Sequence, residues 1–89
     1  MLESKIQKKI INKYEKEGYY VIKIIKCSKN GCPDLICIKD GECFFIEVKS
    51  EKGKLSELQK YRIKELKEFN IKTIIYDGKD SNIRANTNN

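Results

Sequence analysis

An 89-residue chain is long enough for one domain and leaves no room for a second hydrophobic core. Lysine and arginine total 19 against 13 aspartates and glutamates, and the formal charge of +6 favours a polyanionic partner such as nucleic acid. No apolar stretch approaches the roughly 20 residues of a membrane-spanning helix, and the first residues lack the apolar run of a signal peptide, so we expect a cytoplasmic protein with no membrane partner.

The amino-terminal third of the chain predicts a helix and then a strand. Residues 2–17 place apolar side chains at helical spacing and fill the other face with lysines, and Gly18 is a natural stop. Residues 19–27 are rich in β-branched and aromatic side chains, which is typical of a strand.

The middle of the chain predicts a β-hairpin. Residues 28–33 contain Asn-Gly and a proline and predict a loop. Residues 34–39 and 43–50 predict two strands. Between them, Asp40 and Gly41 are a strong signal for a two-residue type I′ turn, so we expect the strands to pair antiparallel.

Residues 56–70 predict a second helix, and residues 71–77 predict a last strand. Ser56 is suited to be the N-cap of this helix, and Gln59, three residues on, would complete a capping box. The apolar stripe of the helix is expected to consist of Leu58, Ile63, Leu66 and Phe69. Because a helix separates the last strand from the third one, we expect these two strands to run parallel.

The element order α-β-β-β-α-β predicts an α/β domain with a mixed four-stranded sheet flanked by two helices. The strands alternate poorly between apolar and polar residues, which favours a sheet covered on both faces, with one helix on each. We expect the domain to span residues 1–79 and the polar, asparagine-rich residues 80–89 to fray as a tail.

The cysteines do not form a zinc-binding pattern. No pair has the C-x-x-C spacing and the chain contains no histidine, while a disulfide framework would need a secreted context. We therefore expect all four to be small apolar fillers of the strands. They are Cys27, Cys32, Cys37 and Cys43.

Three charged residues are set into the predicted hairpin. With Asp40 and Gly41 as the centre of the turn, counting back along both strands places Asp34 opposite Glu47. A turn shifted to Gly41 and Glu42 would place Asp34 opposite Lys49 instead, and Lys49 shares the face of Glu47 in either register because it follows two residues later. Facing carboxylates repel unless something offsets them, and a divalent cation such as Mg²⁺ or Mn²⁺ would do so. Two acids, a metal and a lysine in a basic protein indicate phosphodiester hydrolysis. The residues leave open a second interpretation, an ion pair of Lys49 with either acid on an exposed face.

The spacing of these residues resembles a nuclease signature. A Pro-Asp pair ending at Asp34 is followed, after twelve residues, by Glu-Val-Lys ending at Lys49, which is the order of the PD-(D/E)xK motif. Residues 31–59 resemble the virus-type replication-repair nuclease (VRR-Nuc) domain, in which a Gly-x-Pro-Asp loop, an acid-x-Lys strand and a glutamine-bearing helix follow in that order. The resemblance covers residues from about 3 to 77, and it implies a restriction-endonuclease-like core.

The resemblance implies a metal-dependent endonuclease with Mg²⁺ as cofactor and Mn²⁺ as a substitute. Asp34, Glu47 and the backbone carbonyl of Val48 would hold the metal. Lys49 would orient the attacking water or help to deprotonate it. Glu3, on the first helix, would contact the metal through water.

Two of the implied site residues also have a simpler interpretation. The resemblance implies that Gln59 points from the second helix toward the site, yet Gln59 is also the expected capping partner of Ser56, and we expect the two roles to need different rotamers. Glu3 would equally complement the dipole of the first helix.

The resemblance also implies a partner. Stand-alone domains of this size in the family resemble Holliday-junction resolvases and act as homodimers, so we expect a homodimeric endonuclease that cuts branched DNA, with the four-way junction as substrate, in the cytosol of a bacterium or a phage-infected host. Phosphate contacts are expected from basic residues that would otherwise form a solvated face, namely Lys5, Lys9, Lys52, Lys54 and Lys60. Two alternatives stay open: a non-catalytic nucleic-acid-binding module, and a nuclease selective for flaps or nicked duplex.

Overall fold

The computed structural model describes residues 3–50, 53–76 and 83–85. Its elements in chain order are α1 (Glu3–Lys16), β1 (Tyr20–Lys23), β2 (Leu35–Lys39), β3 (Glu42–Val48), α2 (Glu57–Glu68), β4 (Thr73–Tyr76) and β5 (Ile83–Ala85). The predicted α/β class and the order α-β-β-β-α-β over the first six elements are confirmed. In these described ranges, neither helix has the length and apolar character needed to cross a membrane.

The strands form one mixed sheet in the order β1-β2-β3-β4-β5. β1, β2 and β3 pair antiparallel, and β4 runs parallel to β3, as predicted from the helix between them. β5 is a fifth strand beyond the four that were predicted, and it pairs antiparallel with β4. It lies within residues 80–89, which were expected to fray because of their polar composition. The free edge of β4 offers backbone groups that a returning chain can satisfy, whatever its side chains are. Residues 80–82 and 86–89 of the predicted tail lie outside the described residues.

The turn between β2 and β3 sets the geometry of the hairpin. Its central residues, Asp40 and Gly41, have φ angles of 53° and 81°, as a type I′ turn requires. The register is the predicted one, with Ile36 opposite Phe45. A slip of one residue would turn the acid of β3 away from the acid that precedes β2, so this turn fixes the relative position of the two carboxylates.

α1 packs on one face of the sheet. Its buried residues Ile6, Ile10 and Tyr14 recur at helical spacing, and the Tyr14 ring packs edge-on against those of Tyr19 and Phe44. The buried side chains that α1 covers on the strands are Leu35, Cys37, Ile46, Val48, Ile74 and Tyr76. This core holds the central strands in place.

α2 covers only part of the other face. It packs against β4, and Ile63 is its one buried side chain. Leu58 and Phe69, which were expected in its apolar stripe, are 43% and 75% exposed. The stripe is narrower than predicted because the helix lies over the β4 end of the sheet and does not reach the β1 end.

The remainder of that face is open in the described part of the chain. Residues paired across neighbouring strands share a side of the sheet, and those on this side form what we call the open apolar face: Tyr20, Ile22, Ile36, Ile38, Cys43 and Phe45. Tyr20 is 69% exposed and Ile22 is 39% exposed. Ile36, Ile38 and Phe45 are half-buried between these strands.

Candidate active site

Asp34 is fixed at the point where the chain enters β2. Its N–H donates to the carbonyl of Ile46 at 3.0 Å, and its carbonyl accepts from the N–H of Ile24 at 2.8 Å. The side-chain Oδ2 accepts from the N–H of Val48 at 2.8 Å. The preceding Pro33 is fully buried, and its fixed φ restricts the approach to the strand. Backbone groups of β3 therefore hold the Asp34 carboxylate across the end of that strand.

Glu47 is a buried acid with one unsatisfied oxygen. Its residue exposure is 1%. Oε2 accepts from Nε2 of Gln59 at 3.2 Å and lies 3.9 Å from Nζ of Lys49. Oε1 is buried and has no hydrogen-bond partner among the described residues. Burial excludes the interpretation of an exposed ion pair at this acid, and a buried carboxylate oxygen without a hydrogen-bond partner is energetically costly.

The two carboxyl groups perturb each other. Burial is the largest cause that raises the pKa of Glu47 to about 8, and the negative charge of Asp34 is the next. The Lys49 ammonium acts in the opposite direction. Burial, together with the charge of Glu3, raises the pKa of Asp34 against the hydrogen bond that the Val48 N–H donates to it. A cation between the two groups would favour both charged forms and reverse these shifts.

The side-chain amide of Gln59 makes two hydrogen bonds at once. Ser56 is the N-cap of α2 and the predicted capping box is confirmed. Oε1 of Gln59 accepts from the N–H of Ser56 at 2.9 Å, while its Nε2 donates to Oε2 of Glu47 at 3.2 Å. The expectation that the two roles need different rotamers is wrong, because a carboxamide carries its acceptor and its donor on separate branches and one rotamer presents both.

Glu3 lies near the site, in the first turn of α1. It is half-buried, and its charge raises the pKa of both Asp34 and Glu47. This position suits the predicted water-mediated contact with a metal as well as the complement to the helix dipole. Its role stays a prediction.

The basic residues predicted to contact phosphates are at the surface where the structure describes them. Lys5 and Lys9 are exposed on α1, and Lys54 is exposed in the segment before α2. Lys60 is exposed on α2 and pairs with Glu57, with 3.3 Å between Nζ and Oε2. Lys52 lies outside the described residues.

The loop before Asp34 packs against α2, a contact that sequence reasoning missed. Nε of Arg62 donates to the carbonyl of Asn30 at 2.9 Å. Gly31 has a φ of +84°, and a Cβ on it would lie 2.9 Å from both Cγ and the carbonyl oxygen of Leu58. The Asn-Gly pair signalled a loop, but nothing local to it identifies the helix on which the loop rests. This contact ties the segment that presents Asp34 to the helix that presents Gln59.

Gly31→Ala should therefore destabilise the protein. A side chain there is strained at positive φ and also collides with the backbone of Leu58, so we expect a loss of about 2 kcal/mol and a fall in Tm of roughly 10 °C. Gly41→Ala is the matched control, because Gly41 has a φ of +81° and open space where the Cβ would be. Thermal unfolding of both variants separates conformational strain from the collision, and equal losses of Tm would refute the close contact with α2.

The donors at this site fit a hard cation that keeps most of its water. In the described part of the chain, no group of three or more histidine, cysteine, aspartate or glutamate side chains is arranged to hold a metal ion. A metal at this site would therefore have at most two carboxylates, those of Asp34 and Glu47, as direct side-chain ligands of this kind. Mg²⁺ binds through one or two carboxylates and retains several waters, and the unsatisfied Oε1 of Glu47 offers it a ligand.

The comparison with known families agrees with this geometry. The family model described as the VRR-NUC domain matches residues 2–80 of the 89-residue chain, a range that includes Asp34, Glu47, Lys49 and Gln59. A search of curated proteins found no match. The chain therefore belongs to the VRR-NUC domain family, and it is a nuclease domain of the PD-(D/E)xK type with DNA as its substrate.

Proposed function

We propose that this chain is a homodimeric, Mg²⁺-dependent endonuclease that hydrolyses the phosphodiester bonds of branched DNA, with the four-way junction as its substrate. The observation that carries the proposal is the pairing of half-buried Asp34 with fully buried Glu47 beside Lys49, with Oε1 of Glu47 unsatisfied. The positive charge of Lys49 can balance only one of the two acids, so the second acid needs either a proton or a cation. The raised pKa of Glu47 reflects the cost of charging it without a cation, which supports a cation as the missing partner.

The proposed roles follow from these positions. When bound, Mg²⁺ (or Mn²⁺ as a substitute) would supply Lewis acidity toward the phosphate and lower the pKa of water. Asp34, Glu47 and the Val48 carbonyl would hold it, and Glu3 would reach it through water. Lys49, whose ammonium is held beside the Glu47 carboxylate, would orient the attacking water or stabilise the charge that develops on the phosphate.

Gln59 is a positioning residue in this proposal. Its Nε2 donates to Oε2 of Glu47, which leaves Oε1 as the free ligand oxygen. The other branch of the amide is held by the N-cap of α2, so Gln59 presents its donor from a fixed position, and rotation of the Glu47 carboxylate would break this hydrogen bond. The bond therefore favours one orientation of the ligand oxygen before any metal binds.

The metal-free protein should lose stability as the pH rises. The pKa of Glu47 is about 8 in the folded chain against an ordinary value of 4.5. Between these two pH values the folded chain holds a proton on Glu47 that the unfolded chain has released. The contribution of this proton to the free energy of unfolding is full below pH 4.5 and is lost as the pH rises to about 8. Mg²⁺ competes with that proton. We therefore expect the rise in Tm on adding Mg²⁺ to be larger at about pH 8 than at about pH 6.

Glu47→Gln should flatten this pH dependence and abolish the Mg²⁺-induced rise in Tm, since it removes both the titrating group and the ligand oxygen. Glu15→Gln, an exposed position on α1, is the control and should retain both effects. The measurement is thermal unfolding in chelator and in Mg²⁺ across this pH range. A Mg²⁺-induced shift of the same size in Glu47→Gln would count against metal binding at this site.

The basic surface supports contact with DNA arms. Lys5, Lys8 and Lys23 line a groove of about 440 Å³ between α1 and β1. Lys54, in the segment before α2, and Lys60, on α2, are both exposed. Lysines that meet phosphates fix the position of the duplex and contribute most of the salt dependence of binding. Lys5 and Lys8 lie on α1, the helix that contributes Glu3, and Lys60 lies on α2, the helix that contributes Gln59.

The open apolar face supports the homodimer. Resolution of a four-way junction requires two symmetric cuts, and a chain with one carboxylate pair supplies them through a second copy related by a twofold axis. Pairing through this face would cover apolar surface that so small a domain leaves exposed. It lies on the side of the sheet away from α1, so the groove lined by Lys5, Lys8 and Lys23 would stay accessible to DNA.

The test is a cleavage assay on linear duplex, nicked duplex, flap and four-way junction DNA, in Mg²⁺ and in chelator. We expect paired cuts in the junction, in Mg²⁺ only. A non-catalytic binding module would bind the same DNA equally well in chelator and cut none of it. A nuclease of different selectivity would cut flaps or nicked duplex in preference, which would contradict the junction as substrate while leaving the metal site in place.

A further inference from the structure

Two thiols face each other in the loop between β1 and β2. The Sγ atoms of Cys27 and Cys32 are 2.7 Å apart, and both cysteines are unbonded. A disulfide needs an S–S distance of about 2.05 Å, so a small movement within this loop would bring the sulfurs to bonding distance. The expectation that all four cysteines fill strands is wrong for these two, since neither lies in a strand.

Cys27 is the accessible member of the pair. It is exposed and Cys32 is half-buried, whereas Cys37 is enclosed in the core. The Cys32 thiol and the amide N–H of Lys29 hydrogen-bond to the Cys27 sulfur and, with the positive charge of Arg62 nearby, lower the pKa of its thiol. A lowered pKa increases the thiolate fraction, and the thiolate is the attacking form in thiol–disulfide exchange.

We propose that Cys27 and Cys32 are a redox modification site that closes to a reversible intramolecular disulfide on exchange with a small-molecule disulfide of the glutathione type. The Cys27 thiolate attacks one sulfur of the small disulfide, forms a mixed disulfide and releases one small thiol. The Cys32 sulfur, 2.7 Å away, then attacks the Cys27 sulfur, gives up its proton and releases the second small thiol. The two protein thiols lose two electrons and two protons in total, and the small disulfide is reduced to two thiols.

The disulfide would fix the loop that carries the contacts with α2. Asn30, which accepts from Arg62, and Gly31, which packs on Leu58, both lie between the two cysteines. Cys32 is also two residues before Asp34. Closing the ring removes conformational freedom from the unfolded chain and restrains this loop in the folded one. Oxidation should therefore stabilise the docking of the loop on α2, and reduction should release it.

The test is oxidation of the full-length protein with oxidised glutathione, followed by alkylation of the remaining thiols and tryptic mapping. Lys29 lies between the two cysteines, so cleavage after it leaves two peptides in the reduced protein and one cross-linked pair in the oxidised protein. We expect the Cys27–Cys32 link, with Cys37 and Cys43 alkylated. We also expect Tm to rise by about 5 °C or more on oxidation and to return on reduction.

Cys27→Ser and Cys43→Ser are the matched variants, because both positions are exposed. Cys43→Ser should behave as the wild type. Cys27→Ser should form no internal link, and its Tm should not change with oxidant. Glutathione adducts without the internal link, or an internal link that leaves Tm unchanged, would overturn the proposal. Neither readout uses nuclease activity, so the result is independent of the proposed function.

Discussion

Asp34→Asn and Glu47→Gln should each reduce Mg²⁺-dependent cleavage by at least about 100-fold while the protein stays folded, because changes in the partners of metal ligands alone already cost 10–100-fold. Each substitution keeps the shape of the side chain and removes one anionic ligand. It also removes the repulsion within a pair whose pKa values are both raised, so the metal-free Tm should stay level or rise.

The measurement is cleavage of junction DNA under single-turnover conditions, with thermal unfolding to verify the fold. Glu15→Gln, an exposed acid on α1, is the control and should cleave at the wild-type rate. Retention of more than a few per cent of activity by both active-site variants would remove the two carboxylates from the mechanism. A variant without a cooperative thermal transition is unfolded, and its loss of cleavage says nothing about the carboxylate. In that case the other of the two substitutions decides the outcome.

A mixed dimer with one Asp34→Asn subunit should nick one strand of a four-way junction and leave the other intact. Each chain contributes one carboxylate pair, so removing one site should abolish one of the two cuts and preserve the other. Co-expression with two affinity tags gives the mixed dimer, and denaturing electrophoresis of junctions labelled on each strand counts the cuts. Paired cuts by the mixed dimer would contradict one site per strand.

The proposed homodimer also predicts which surface forms the interface between the two chains. Replacing Tyr20 and Ile22 by lysine puts charge on the open apolar face and should convert the dimer to monomers in light scattering at micromolar concentration. Phe69→Lys is the matched control, since Phe69 is 75% exposed at the end of α2 and lies outside that face. A monomeric wild type that still makes paired cuts would refute the dimer itself.

The hairpin could be predicted from sequence because its determinants are local. Asp40 and Gly41 require positive φ, a two-residue turn of that type allows one register, and the register places the acid before β2 level with Glu47. The capping box at Ser56 is local in the same sense and is confirmed. These parts of the site needed no knowledge of how the helices pack.

The remaining parts depend on where α2 docks, and no local pattern encodes that position. The second contact of Gln59 exists because α2 lies over the β4 end of the sheet, and the same placement leaves Leu58 and Phe69 largely exposed. The close approach of Gly31 to α2 joins segments far apart in the chain. β5 also escaped prediction, because backbone pairing at a free edge does not require an apolar sequence.

The two-sided amide of Gln59 makes the start of α2 thermodynamically linked to the active site. When the first turn of α2 frays, the Gln59 amide no longer donates to Glu47. A ligand that binds more tightly when this hydrogen bond is present therefore opposes fraying, and the free energy by which it opposes fraying equals the free energy by which the hydrogen bond favours its binding. The first turn of α2 is thus a local unfolding unit, and a ligand bound at the Asp34–Glu47 pair shifts its opening equilibrium toward the closed state. Its backbone amide protons should exchange more slowly with solvent when the carboxylate pair is occupied, which makes the helix terminus an internal reporter of the chemistry beside it.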